Sequence, residues 1–189
     1  MNNEDVRNLN FSGWPLPDEY LIELGRVSAL WGSLESFLNI CIGKLAGFNE
    51  LHDPKPFILI THASFPQRLD MLGALCEQLV TELPHLAAYK EVIGALRTAQ
   101  KSRNNFMHHG MAVNPKSGTV DMAIGSARGT LKVSVEKVDI ADIRRATMDI
   151  DEAQTALYRF VLRRDLQPVW RRRAAEQGAT GDAPPPARP

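Results

Sequence analysis

The sequence predicts a mainly α fold: a bundle of four or five helices with a small antiparallel β-hairpin or meander inserted before the last helix. Three observations carry this. Long stretches place apolar residues three and four apart, as on one face of a helix. A single region near residues 111–137 switches to alternation with turn residues between. The chain has 189 residues, 44% hydrophobic and 23% charged, which suits one soluble globular domain with appendages.

The elements follow in order. Residues 1–17 read as an irregular arm, with turn signals at Ser12-Gly13 and Trp14-Pro15. The first helix starts near Asp18, with Pro17 close to its first turn. Its stripe is Tyr20, Leu24, Val27, Trp31, Leu34, Leu38, Cys41 and Leu45, spaced four and three like a bundle seam. Gly47 closes it. Residues 48–56, with two prolines, read as a linker, and Phe57-Ile58-Leu59-Ile60 as one or two helical turns. Ser64 and Gln67 form a capping box for a helix carrying Leu69, Leu72, Leu75, Cys76 and Leu79 and running to about Glu82. Pro84 suits the first turn of the next helix, whose inner stripe is Leu86, Tyr89, Val92, Ile93, Leu96 and Ala99 and reaches Phe106 and Met107. Gly110 is placed where a helix-closing glycine belongs.

Met111–Val113, Thr119–Ile124 and Thr130–Val135 then read as short strands, separated by turns at 114–118 and 125–129. A hairpin this small must lean on the helices. The last helix starts near Asp139 and presents Ile143, Ala146, Ile150, Ala153, Leu157, Phe160 and Val161, with Pro168 expected to break it. The globular domain is thus 18–176. Residues 177–189, rich in Gly, Ala and Pro, are expected to be disordered.

Composition excludes several classes. Acidic and basic residues balance at 22 each, so nucleic-acid binding requires a local patch rather than a global field. No run reaches the roughly 18 apolar residues of a membrane span, and the acidic start Met1-Asn2-Asn3-Glu4-Asp5 argues against a signal peptide. Cys41 and Cys76 fall on apolar helix faces without metal-ligand spacing, which suits buried thiols and a reducing cytoplasm. No phosphate loop, nucleophile elbow or dinucleotide fingerprint is present. Adjacent histidines point about 100° apart on a helix, so His108 and His109 make a poor metal pair, and neither metal nor cofactor is expected.

The chemistry concentrates in Arg103-Asn104-Asn105-Phe106-Met107-His108-His109-Gly110. Arg103 lies four residues after Ala99 and seven after Leu96, on the apolar stripe itself, where a charge is costly unless paired or used. Glu35, flanking the seam of the first helix, is a candidate partner. On an ideal helix Arg103 and His108 stand about 140° apart. Either the helix loosens near His108, or two copies of the motif share one site. A purely structural role is the alternative: histidines at a helix C-terminus are favoured by the macrodipole.

Arg-Asn-x-x-x-His resembles the R-x4-6-H signature of HEPN domains, with Arg103, Asn104 and His108 matching position by position and His109 satisfying the looser spacing. The resemblance extends over about residues 18–165. It takes in Leu34-Glu35, Gln67-Arg68-Leu69-x-x-Leu72, the motif helix, and a hairpin before the final helix. It implies a metal-independent endoribonuclease acting as a homodimer, its two motifs facing each other across a shared cleft. By that analogy the RNA 2′-hydroxyl attacks its own phosphodiester and leaves a cyclic phosphate. His108 would serve as general acid or base, Arg103 would hold the phosphate, and Asn104 would orient either, with His109 and Glu35 in support. Such proteins act as toxins or antiviral effectors, sometimes beside an antitoxin protein. Other members are inactive modules that bind a protein or nucleic-acid partner. Arg163-Arg164 and Arg171-Arg172-Arg173 are the basic residues available for RNA phosphates, or are simply solvated helix ends.

Overall fold

A computed structural model describes residues 13–48, 53–126, 130 and 132–170. The predicted arm up to residue 12, Arg171–Arg173 and the tail 177–189 lie outside the described residues. Among the described residues, five α-helices and one three-stranded antiparallel sheet stand in the predicted order, with the sheet before the last helix.

The seam of the first helix, α1 (Asp18–Leu45), buries Val27, Trp31, Leu34, Leu38 and Cys41, as the four-three spacing requires. Each fully buried leucine contributes about 2 kcal/mol of apolar burial. Tyr20, Leu24 and Leu45 pack half-buried at its margins. At the C-terminus Phe48 N–H donates to Gly43 O at 3.0 Å and Gly47 N–H to Lys44 O at 3.1 Å, a Schellman closure. Gly47 supplies the left-handed residue that this closure needs, at φ 89°.

The predicted linker is shorter than expected. Both prolines belong to α2 (Pro54–Ile60), which Asp53 caps by accepting from Lys55 N–H at 2.9 Å. In a first turn a missing N–H costs nothing, so prolines there favour the helix rather than break it. The capping box of α3 (Phe65–Leu79) forms as predicted: Ser64 and Gln67 each serve the other's backbone N–H. That helix stops three residues short of Glu82. Pro84 opens not a helix proper but a 3-10 turn, Pro84–Ala88, which leads into α4 (Tyr89–Met107).

Gly110 does not close α4. It starts strand β1 (Gly110–Val113) opposite Ala123 and has no positive φ. The sheet order is β1-β2-β3, with β2 at Val120–Ser126 and β3 at Lys132–Lys137. Val120, Met122 and Val138 are buried and seat it on the helices.

Asp139 caps the last helix, α5 (Ile140–Leu162), by accepting from Ala141 N–H at 2.9 Å. The helix ends at Leu162, six residues before Pro168, because Arg163 adopts a left-handed conformation at φ 54°. The chain then turns back, and the buried Asp151 accepts from Val169 N–H at 3.1 Å.

Buried Glu23 on α1 accepts from Arg26 at 2.6 Å and from Arg144 of α5 at 2.8 Å. Burial pushes its carboxyl up, but the hydrogen bonds from Arg144 and Arg26 outweigh that and hold it below its ordinary value. Cys41 and Cys76 are free buried thiols, as expected; burial raises both, Cys76 to about 11. No described helix is long and apolar enough to cross a membrane.

Candidate functional site

The inner stripe of α4 runs through Leu96 and Ala99, both fully buried, so the next position on that face, Arg103, also points at α1. There its guanidinium carbon stands 5.5 Å from the centre of the Trp31 ring. Trp31 is itself fixed by Phe65 at the start of α3, ring centres 4.5 Å apart. The cation therefore lies over a rigid aromatic face, a contact worth roughly 0.5–2 kcal/mol. This role of Trp31 was not foreseen. Its signal was a cation on an apolar stripe facing a seam that carries an aromatic residue.

Arg103 and His108 meet within one chain. Arg103 Nη1 lies 2.8 Å from His108 Nε2 and donates to Asn104 Oδ1 at 3.0 Å. The expected 140° separation does not apply, because α4 ends at Met107. His108 leaves helical geometry at φ −117°, ψ 3°, and its ring folds back over the last turn. Of the two alternatives, the helix loosens. A guanidinium only donates, so Nε2 must be the accepting nitrogen and the ring proton resides on Nδ1. His108 is exposed, whereas Arg103 and Asn104 are half-buried.

One atom of this cluster is left over. Arg103 Nε is buried and has no hydrogen-bond partner among the described residues. An orphaned buried donor costs about 1–3 kcal/mol, more on a cation. Glu35 does not relieve it: its carboxylate sits 3.6 Å from Arg68 instead. Arg68 is held in place by Ala63 O at 2.9 Å, so it meets Glu35 without reorganisation. The expected Arg103–Glu35 pair is therefore replaced by Arg68–Glu35.

The two histidines part company. His109 Nδ1 donates to Asn105 O at 3.0 Å, and its ring borders a separate cleft of about 410 Å³ between α4, the sheet and α5. That cleft also contains Ser102, bonded to Asp149 at 2.5 Å, and Arg145, paired with Asp142 at 2.8 Å. The first pair was not anticipated, since nothing local links residues 47 apart in sequence; the second is a local pair three residues apart on α5. Of the two histidines, His108 is the one in contact with Arg103.

Arg163 and Arg164 stand apart from the motif. Ser102 bonds Asp149, which sets Arg103 level with the first half of α5. Arg163, at the far end, is about 20 Å further along the axis at 1.5 Å per residue. Among the described residues no group of three or more His, Cys, Asp or Glu side chains is placed to hold a metal ion.

No family model matches the chain, and no curated protein or solved structure matches it either.

Proposed function

We propose that the chain is a HEPN-like, metal-independent endoribonuclease whose reacting groups are Arg103, Asn104 and His108. The observation that carries this reading is the 2.8 Å contact between Arg103 Nη1 and His108 Nε2, beside a buried Arg103 Nε that lacks a partner. An anionic oxygen is a better acceptor for a guanidinium than a neutral imidazole is. An arriving RNA phosphate would draw the guanidinium off His108 and, as it turns outward, fork onto Nε and Nη2. That exchange frees Nε2 as a base at the moment substrate is bound.

The reaction then balances simply. The proton of the 2′-hydroxyl passes to His108 Nε2, the 2′-oxygen bonds phosphorus, and the 5′-oxygen leaves, taking a proton from solvent. The products are a 2′,3′-cyclic phosphate and a 5′-hydroxyl end. Arg103 offsets the charge that develops on the phosphoryl oxygens. Asn104 Oδ1, already accepting from Arg103, holds the guanidinium plane.

The resemblance also implies a homodimer with facing motifs, a toxin or antiviral role, and a possible antitoxin partner. Since one chain closes Arg103 onto His108 by itself, a second copy at the motif would add RNA contacts rather than complete the pair. The test is cleavage of unstructured RNA by the purified chain in a chelator, with a 2′-deoxy substrate as control. Cleavage of RNA alone, leaving cyclic phosphate ends and abolished by His108→Ala, is expected. Intact RNA, or cleavage that survives His108→Ala, overturns the reading.

A further inference from the structure

We propose that β3 pairs edge to edge with β3 of a second copy, about a two-fold axis through Ser134, to make one continuous six-stranded sheet. The inference is independent of the motif chemistry, for it rests on the sheet alone. Among the described residues β3 is hydrogen-bonded only to β2, and all six of its residues are exposed. Val133 and Val135 are each 66% exposed, unusual for β-branched residues side by side on one strand face.

The register can be worked out. Val138 N–H donates to Val120 O at 2.8 Å. Backbone groups alternate along an antiparallel strand, so Lys132, Ser134 and Glu136 spend theirs on β2. The N–H and C=O groups of Val133, Val135 and Lys137 point out of the open edge. A second β3 centred on Ser134 places Val133 opposite Val135 of the second copy, and Val135 opposite its Val133. Both are pairs whose backbone groups face outward, so each exchanges two hydrogen bonds.

In that register the side chains are also self-complementary. Lys132 stands opposite Glu136 of the second copy, and the reverse, on the face shared with Ser134. The valines join on the other face with Ala123 and Gly125 of β2, which lie opposite Val135 and Val133 in the existing sheet. Shifting the axis by one residue to Val133 or Val135 keeps the faces aligned but loses both Lys–Glu pairs. Edge lysines ordinarily guard a strand against pairing; here Lys132 meets a carboxylate. The edge is two strands away from β1, which begins two residues after His108, although Glu136 and Lys137 of β3 also border the cleft beside His109.

The test uses the full chain. Its mass in solution, followed by light scattering, should rise from one copy towards two with concentration. Val135→Pro removes an outward N–H that β2 does not use, and it should hold the chain at one copy while circular dichroism shows the fold retained. Ser134→Cys puts two thiols on the axis at a non-hydrogen-bonded position, with Cα atoms about 4.5 Å apart, inside the disulfide range. It should cross-link under mild oxidation on the order of tenfold faster than Val133→Cys, whose thiols sit diagonally. Lys132→Glu should weaken the dimer, and adding Glu136→Lys should restore it. A dimer unchanged by Val135→Pro, or equal cross-linking at positions 133 and 134, overturns the proposal. So does a chain that stays single at every concentration, even if its edge accepts a strand from another protein.

Discussion

Two helix ends in this molecule solve the same problem in opposite ways. At the end of α1, Gly47 turns left-handed and the last carbonyls are taken by the backbone N–H groups of Ala46, Gly47 and Phe48. Nothing chemical is left over. At the end of α4 there is no left-handed residue: His108 itself is the closing residue, and its ring is spent on Arg103. That closure is the poorer one structurally, since it holds a cation on a half-buried face and leaves Arg103 Nε unpartnered among the described residues. A closure that carries an unrelieved cost beside an exposed histidine suits binding an anion better than it suits stopping a helix.

The comparison is broken most directly at His108. Replacing it by Ala should lower RNA cleavage about a hundredfold or more, the usual contribution of a general base. Stability should change by about 1 kcal/mol at most, because the ring is exposed and one hydrogen bond is lost. Measured rates and melting curves on the same preparation separate the two. A large loss of stability with unchanged cleavage would make the motif a helix closure after all.

At the other end the expectation reverses. A Cβ at Gly43 would lie 2.7 Å from Pro56 Cγ and 2.8 Å from its Cβ, so α2 must move away. Gly43→Ala should cost about 1–3 kcal/mol, the scale of overpacking, and lower the melting temperature by several degrees without touching cleavage. Gly47→Ala meets no atom within 4 Å but must keep φ at 89°. Its cost is conformational only, about 1 kcal/mol, again read in thermal melts with cleavage intact.

What the sequence disclosed about these regions follows from which forces are local. The seam Val27-Trp31-Leu34-Leu38-Cys41 and the box Ser64–Gln67 were legible because spacing and capping act within a turn or two. Gly47 was legible for the same reason. Gly110 misled because a glycine after a helix has the composition of a closure, yet strand pairing with Ala123 decided its conformation. Pro168 misled similarly: α5 had already ended at Arg163, whose left-handed turn no local residue announces. At the motif, the residues were legible and their geometry was not. The 140° argument presumed a helix through His108, and where a helix stops is the least local of its properties. Partners such as Arg68 for Glu35, or Asp149 for Ser102, arise only once helices pack.

The smallest expected effect is the sharpest discriminator between the two histidines. His109 shares the motif's looser spacing, yet its Nδ1 is occupied by Asn105 O and its ring borders the cleft of Ser102, Asp149 and Arg145. His109→Ala should leave cleavage within about twofold and stability within about 0.5 kcal/mol, as for a substitution away from buried networks. The comparison with His108→Ala holds composition and sequence neighbourhood nearly fixed, while His109 is half-buried and His108 exposed, and it changes which side chain reaches Arg103. Equal losses at both positions would mean that His109 swings to Arg103 when RNA binds, and the α4 closure would then be a moving part rather than a fixed one.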